Sequence, residues 1–214
     1  MRKALTHLKK SDPVMRGLIE RVGPYRMTYR EPTFHSLARA IAYQQLNGKA
    51  AETIFGRFSA LAGDPLTPEG ILKLTPEQMR AAGLSKQKSS YLVDMAERAS
   101  RGELDFLRVP NMSDDEVIEH LSQVKGVGVW TAHMFLMFTL RRPNVLPTGD
   151  FGIRMAMFRH YLDKNRAKSA NSKNRKRNIK LPTALQMEKI AKCWEPYRSV
   201  ACWYLWRSLD LTTP

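Results

Sequence analysis

Two short stretches of this 214-residue sequence combine residue types that can carry out chemistry. The first contains Gly126 and Gly128, two glycines in three residues within an otherwise helical pattern. Glycine lets a backbone approach a ligand closely, and the amides of a glycine-rich hairpin that opens a helix form a site for an anion such as a phosphate. The second stretch ends at Asp150, a carboxylate at the mouth of a predicted helix. The alternatives are a plain turn between helices at the glycines and a simple helix cap at the aspartate.

Two predicted helices position the glycine hairpin. Ser113 and Glu116 have the spacing of a capping box, which begins the first helix. Its apolar residues recur at helical intervals and give it one buried face: Val117, Leu121 and Val124. The second helix is predicted from Val129 to about Leu140. Because it is apolar on almost every side, we expect it to lie near the centre of the fold.

Helix start signals recur along the rest of the chain, whereas no alternating pattern of useful length predicts a strand. These signals are Asp12-Pro13, Thr33, Thr67-Pro68, Thr75-Pro76, Ser85 and Thr183. A further helix is predicted from Asp150 to about Leu162. The sequence therefore predicts an all-α fold.

The chain is strongly basic, with a formal net charge of +15 and a sequence pI of about 10.1. This charge favours a polyanionic partner, nucleic acid first and an anionic membrane surface second. Residues 164–180 hold eight Lys or Arg residues and no Asp or Glu. We interpret this basic insert as a solvated loop that adds non-specific attraction to phosphates.

The sequence shows no feature of a membrane or secreted protein. The longest apolar run, residues 127–140, is too short to span a bilayer, and no signal peptide is visible near the N-terminus. Cys193 and Cys202 are the two cysteines, which favours a reducing cytoplasm over a disulfide framework and excludes a four-cysteine iron–sulfur cluster. The histidines and cysteines have no zinc-ligand spacing.

Several motifs resemble one family, in the order in which that family carries them. Residues 121–132, LSQVKGVGVWTA, resemble the hairpin of the helix-hairpin-helix DNA glycosylase superfamily, and residues 146–150, LPTGD, fall where that superfamily carries its catalytic aspartate. Residues 40–46, AIAYQQL, resemble its DNA-inserting segment. Residues 196–199 and 203–206 resemble the C-terminal helix of the 3-methyladenine DNA glycosylase II, or alkylation-repair, type. The resemblance covers residues 12–210 without the basic insert.

The resemblance implies two helical lobes flanking a DNA-binding cleft. One lobe is predicted at residues 32–142, with the helix-hairpin-helix motif at about 114–140, and the other at residues 1–31 plus 143–214. The predicted function is base-excision repair: the enzyme flips a damaged nucleotide out of the duplex and hydrolyses its glycosidic bond. Asp150 is the predicted catalytic residue, because a carboxylate stabilises positive charge on the sugar and can activate water.

Other residues receive roles from the same resemblance. Gln45 and Leu46 are predicted to form a wedge that fills the gap left by the flipped base, the alternative for Leu46 being a core position. The residues predicted to line the base pocket are Trp130, Trp206, Tyr43 and His133. An aromatic ring attracts an electron-poor base, but each ring is also a candidate core residue.

The remaining site predictions concern the DNA backbone. The predicted phosphate-binding residues are Gly126, Gly128, Trp130 and Thr131. The resemblance also implies a monovalent cation held by the backbone carbonyls of Ser122, Val124 and Val127 when DNA is bound. No other cofactor is expected. Trp130 occupies the position at which bifunctional relatives carry a lysine nucleophile, so a lyase step is not predicted.

We therefore predict a monofunctional glycosylase that removes alkylated bases of the 3-methyladenine and 7-methylguanine type from double-stranded DNA. We expect it to act as a monomer in the cytoplasm, on DNA and not on a membrane. Two alternatives remain at this stage. One is a glycosylase for deaminated or etheno bases, and the other is a non-catalytic helix-hairpin-helix DNA-binding protein.

Overall fold

The computed structural model describes residues 1–46, 48–163 and 180–211. These residues form α-helices and no β-strand, which confirms the predicted all-α class. In chain order the helices are α1 (Arg2–Ser11), α2 (Pro13–Val22), α3 (Phe34–Tyr43), α4 (Gly48–Ala62), α5 (Pro68–Leu72), α6 (Pro76–Ala81), α7 (Lys86–Ser100), α8 (Asp114–Ser122), α9 (Val129–Phe138), α10 (Phe151–Met157), α11 (Ala184–Ala191) and α12 (Arg198–Asp210). Short 3-10 turns occur at Val109–Asn111 and Lys192–Trp194, and a π-helical turn, Phe158–Leu162, continues α10. Except for Lys180, the predicted basic insert lies outside the described residues.

The chain divides into two compact units. Unit 1 comprises Met1–Thr28 and Arg142–Pro214, and unit 2 comprises Tyr29–Arg141. The sequence prediction placed these boundaries after residues 31 and 142. No helix in the described part of the chain is long and apolar enough to cross a membrane.

The capping residues predicted from local spacing begin their helices as expected. Ser113 and Thr75 form complete capping boxes, and Thr33 and Ser85 accept hydrogen bonds from first-turn amides. The prediction missed α1, which is rich in Lys and Arg and buries only Ala4 and Leu8. α9 ends two residues before the predicted position, whereas the helical segment after Asp150 reaches Leu162 as predicted, with a π-helical last turn.

Unit 2 holds the hairpin between packed helices. α8 packs against α9, which in turn packs against α3, and α3 also contacts α4 and α7. The buried core at these interfaces is apolar: Leu37, Ile41, Phe58, Leu92, Leu121 and Phe135. Burying such side chains contributes about 1.5–3 kcal/mol each. The hairpin therefore connects two helices that the core already fixes.

Unit 1 is organised around the buried carboxylate of Asp12, which is 5 % exposed. Its Oδ1 accepts hydrogen bonds from the amides of Val14 and Met15 and so begins α2. Its Oδ2 accepts from the Tyr161 hydroxyl at 2.8 Å and from Trp194 Nε1 at 2.7 Å. Burial, together with the charge of Asp12, raises the pKa of Tyr161, which keeps that hydroxyl a donor. One carboxylate thus joins α2 to two segments more than 140 residues away.

We expect Asp12→Ala to lower the free energy of unfolding by about 3 kcal/mol, because the substitution leaves buried donors and first-turn amides without an acceptor. Urea unfolding followed by circular dichroism measures this change. Asp210→Ala is the matched control, since Asp210 forms an exposed ion pair with Arg207, and it should change stability by no more than about 0.5 kcal/mol. Equal unfolding midpoints for the two variants would contradict the role of Asp12.

Candidate active site

The two hairpin glycines have different structural roles. Gly126 has φ +76°, and a Cβ built there would lie 2.1 Å from the ring of Tyr91. Gly128 has φ −101° and ψ −179°, an extended conformation open to any residue, and a Cβ there would have no protein atom within 4 Å. Only Gly126 therefore needs glycine for its backbone conformation. Gly128 leaves open space beside the start of α9.

A buried carboxylate holds the hairpin against α7. Asp94, 8 % exposed, accepts a hydrogen bond from the Lys125 amide at 2.9 Å and another from Arg98 Nε at 3.2 Å. Burial alone would raise the pKa of Asp94, but these hydrogen bonds and the two positive charges lower it below its ordinary value. The carboxylate is therefore ionised at neutral pH and fixes the residue that precedes Gly126.

The first turn of α9 faces solvent beside Gly128. Val129 is 55 % exposed and Trp130 is 41 % exposed, and Gly128 supplies no side-chain cap. Because first-turn amides have no acceptor within their own helix, this end of α9 can bind an anion. The side chain of Thr131, which was also predicted at the phosphate site, is buried, and its hydroxyl accepts a hydrogen bond from Gln44 Nε2 at 3.2 Å. Its hydroxyl is therefore directed into the protein.

The predicted wedge residues project from the turn between α3 and α4. Gln45 and Leu46 are both exposed, Leu46 by 39 %. The alternative of a core position for Leu46 is therefore wrong. Gln45 has φ +57°, a left-handed conformation that costs a non-glycine residue roughly 1–2 kcal/mol. Surrounding contacts must hold the turn in this shape.

Those contacts come from Gln44 and Lys88, two residues to which the sequence analysis gave no role. Gln44 Nε2 donates to the carbonyl of Gly126 at 2.9 Å as well as to Thr131. Lys88 Nζ donates to the carbonyls of Ala42 and Gln44, both at 2.7 Å. Gln44 stands in a segment that resembles the family, but no sequence signal identifies the partners of Gln44 and Lys88, because most of them are backbone carbonyls distant in the chain.

A cavity of about 170 Å³ lies within unit 2 beside this turn. Its walls combine apolar, aromatic and polar side chains, among them Tyr43, Gln44, Trp130, Met134 and Phe138. Trp130 and Tyr43, two of the predicted base-pocket residues, therefore share one cavity.

The other two predicted pocket residues lie elsewhere. His133 is not among the residues that line this cavity; burial lowers its pKa and the charge of Asp114 opposes that shift. Trp206 belongs to unit 1, where it is half-buried and contacts Asp150.

Two arginines give the cavity a positive character. The guanidinium of Arg39 lies over the ring of Tyr43, 3.6 Å from its centroid, so that face of the ring is already occupied by a cation. Arg30 also lines the cavity, and burial followed by the charge of Arg39 lowers its pKa. Neither arginine forms an ion pair with an acidic residue in the described ranges. The cavity therefore disfavours a positively charged ligand.

Asp150 is held at the start of α10 by two donors. Its Oδ1 accepts from the Ile153 amide at 2.8 Å and from Trp206 Nε1 at 2.9 Å. A Cβ at Gly152 would lie 3.0 Å from Trp206 Cδ1 and 3.2 Å from Asp150 Oδ1, so the absence of a side chain there allows the tryptophan to approach. Sequence reasoning identified Asp150 and Trp206 but not Gly152 or the contact that joins all three. The Trp206 ring edge is engaged in orienting the carboxylate.

The thiol of Cys202, whose pKa responds to the charge of Asp150, is not available as a nucleophile. Cys202 is fully buried, and burial together with the charge of Asp150 raises the pKa of its thiol, which keeps it protonated. The described residues contain no group of three or more His, Cys, Asp or Glu side chains able to hold a metal ion.

The carbonyls predicted to hold a cation lie at the end of α8 and in the hairpin. Val124 O accepts the Val127 amide at 3.0 Å and keeps a second lone pair, as a carbonyl oxygen can accept twice. The carbonyls of Ser122, Val124 and Val127 belong to the segment that follows the negative end of the α8 dipole, which suits a cation.

Comparison with known proteins identifies consistent relatives. The family model described as HhH-GPD superfamily base excision DNA repair protein matches residues 38–181. DNA-3-methyladenine glycosylase 1 of Schizosaccharomyces pombe is 37 % identical over 216 residues, covering 98 % of this chain and 88 % of the relative.

Solved structures agree with this assignment. A 3-methyladenine DNA glycosylase of S. pombe in complex with abasic DNA has a TM-score of 0.81 at 35 % identity and 98 % coverage of both chains. The DNA-3-methyladenine glycosidase of Bacillus halodurans has a TM-score of 0.76 at 32 % identity, covering 96 % of this chain and 88 % of the other.

The two glycines should respond differently to alanine. We expect Gly126→Ala to lower the free energy of unfolding by about 2 kcal/mol, because it imposes a left-handed conformation and a clash with Tyr91. Gly128→Ala, the matched substitution, should change it by about 0.5 kcal/mol or less. Thermal unfolding of both variants measures the difference. Similar losses at the two positions would contradict this description of the hairpin.

Proposed function

Because this chain belongs to the HhH-GPD superfamily of base excision DNA repair proteins, we propose that it is a monofunctional DNA glycosylase for alkylated bases. Its substrates would be 3-methyladenine and 7-methylguanine in double-stranded DNA, and its product an abasic site. The observation that carries the proposal is Asp150, a carboxylate oriented by an amide and an indole N–H in a chain 37 % identical to a DNA-3-methyladenine glycosylase. A DNA-binding protein without catalysis needs Asp150 only as a helix cap, for which the contact with the indole is not required.

Asp150 would stabilise the sugar as the glycosidic bond breaks. Positive charge develops on the ribose in that step, and a carboxylate already held in position stabilises it without reorganisation. A water molecule then adds its oxygen to C1′ and gives up a proton to the same carboxylate. An N3- or N7-alkylated purine is cationic in DNA and departs as a neutral base, so the reaction needs no general acid.

The reaction ends at the abasic site in this proposal. A lyase step needs an amine that forms a Schiff base with the sugar. Trp130 stands at the position where bifunctional members of the superfamily carry lysine, and Lys125 lies on the other side of both glycines, where its ammonium group is 3.6 Å from Asp94. The strand would therefore remain intact.

The hairpin and the wedge would bind the DNA around the damaged nucleotide. The open space at Gly128 lets a phosphate approach the first turn of α9, with Gly126, Trp130 and Thr131 contributing backbone. When DNA is bound, a monovalent cation held by the carbonyls of residues 122, 124 and 127 would add positive charge toward the same phosphate. The basic insert would add diffuse attraction.

The wedge residues would fill the gap that base flipping creates. Flipping a nucleotide costs a few kcal/mol, and side chains inserted into the stack offset part of that cost. Gln45 and Leu46 are both exposed at the tip of their turn, which supports this role. We further propose that the enzyme acts as a monomer and works in the cytoplasm.

A second substrate class is favoured by the charge of the cavity. Arg30 and Arg39 disfavour a cationic base beside Trp130 and Tyr43, whereas they tolerate a neutral base whose edge carries hydrogen-bond acceptors. Deaminated and etheno bases are neutral and carry such acceptors. The enzyme would then remove these bases in addition to alkylated purines; a neutral base leaves as an anion, which would take up a proton from solvent.

The first test addresses Asp150. We expect Asp150→Asn to reduce single-turnover release of 7-methylguanine at least about 100-fold, because it removes the charge that stabilises the transition state. DNA binding should stay close to wild type, and α10 should keep its cap, since asparagine is also a good N-cap residue. Asp210→Asn removes an exposed carboxylate from the same unit and should excise normally. Rapid release of methylated base by Asp150→Asn would refute the mechanism.

The second test addresses base preference. We expect Arg39→Met to raise the ratio of 7-methylguanine excision to ethenoadenine excision by roughly fivefold, because it removes a cation from the cavity and uncovers the ring of Tyr43. Arg57→Met removes the same charge from an exposed position on α4 and should leave the ratio unchanged. Single-turnover rates on the two lesions in one duplex sequence give the ratio. If both rates fell together in Arg39→Met, the charge of the cavity would have no part in substrate choice.

A further inference from the structure

Two sets of hydrogen bonds converge on the turn that carries Gln45 and Leu46. One set runs from the Lys88 ammonium group to the carbonyls of Ala42 and Gln44. The other runs from the Gln44 side chain to the hairpin, where it reaches the Gly126 carbonyl and the Thr131 hydroxyl. All the atoms involved belong to unit 2. We refer to the side chains of Gln44 and Lys88 as the clamp.

We propose that the clamp positions the DNA-inserting turn and couples it to the hairpin, so that the hairpin holds a phosphate and the turn enters the base stack as one preformed unit. The inference rests on the proposed function and extends it to Lys88 and to Gln44, whose side chain also borders the cavity of unit 2. Gln44 and Lys88 are positioning residues in this description.

The location of Lys88 supports a dedicated role at the turn. Lys88 lies in the first turn of α7, where its backbone amide bonds to the Ser85 cap. A cation is unfavourable near the N-terminus of its own helix and favourable near the C-terminus of another. Its ammonium group reaches the last carbonyls of α3, which lack donors within that helix. Burial lowers the pKa of Lys88, which shows that the ammonium group loses part of its hydration when it makes these contacts.

Gln44 connects the turn to both sides of Gly128. Its amide nitrogen bonds to the carbonyl of Gly126, before Gly128, and to the hydroxyl of Thr131, after it. The next residue, Gln45, has the strained left-handed conformation. Such a conformation persists only where the surroundings determine it, and the clamp holds the residues immediately before Gln45.

The clamp should therefore affect base flipping and leave bond cleavage unchanged. Without it, the turn must be ordered during insertion, and that entropic cost is added to the cost of unstacking. A lesion that is already unpaired needs little unstacking, so its excision should depend far less on the clamp. The ratio of excision from paired and unpaired lesions thus separates positioning from general damage to the fold.

The experiment compares Lys88→Met and Gln44→Met with Lys86→Met, which removes an exposed lysine from the same turn of α7. Each variant is tested at saturating enzyme on one etheno or methylated base, placed either in a fully paired duplex or in a three-nucleotide bulge. We expect both clamp variants to lose at least about tenfold more activity on the paired lesion than on the bulged lesion, equivalent to 1.4 kcal/mol. Lys86→Met should change the two rates by the same factor, and Lys88→Arg should recover part of the loss.

Equal losses on the two substrates, or no loss on either, would overturn the proposal. Thermal unfolding identifies a variant that fails to fold. In that case the other clamp variant is used to test the proposal. If wild-type protein released no base from either substrate, the proposed function would be wrong. The clamp could then still be tested by a measurement that needs no base release. Fluorescence of 2-aminopurine beside an abasic-site analogue reports insertion without chemistry, and clamp variants that matched the wild-type signal would refute the coupling.

Discussion

The hairpin depends on one steric constraint, the contact between the backbone of Gly126 and the ring of Tyr91. A Cβ at Gly126 would lie 2.1 Å from that ring, and the left-handed conformation there turns the chain from α8 toward α9. Asp94 binds the amide of the preceding residue, and Gln44 binds the carbonyl of the glycine itself. The hairpin is thereby fixed from α7 and from the turn after α3. The first turn of α9 consequently has a defined direction.

Helix capping and the proposed chemistry use the same carboxylate. Asp150 begins α10 by accepting the Ile153 amide, and Trp206 binds the same oxygen. A group fixed in this way does not reorient when charge develops nearby, which is the basis of electrostatic preorganisation. This arrangement requires glycine at position 152, because a side chain there would lie too close to both the indole and the carboxylate.

Positive charge acts at two distances in this protein. The net charge of +15 attracts DNA from solution, but salt screens that attraction beyond about 8–10 Å. Arg30 and Arg39 act inside a small cavity, where screening is weaker and repulsion of a cationic ligand is stronger. The charge that favours DNA binding in general therefore opposes a cationic base at the cavity in particular.

The sequence by itself determined the all-α class, most helix starts and the positions of Gly126 and Asp150, because caps and glycine turns act through residues within a few positions of each other. It did not determine α1, whose stability comes from packing Ala4 and Leu8 against other parts of unit 1. The bonds from Gln44 to the hairpin, from Lys88 to α3 and from Trp206 to Asp150 were decided by tertiary structure alone. They join residues 44 to 87 positions apart, and most of the acceptors are backbone carbonyls, which accept a hydrogen bond whatever their side chain, so no residue pattern shows which one a distant donor will meet.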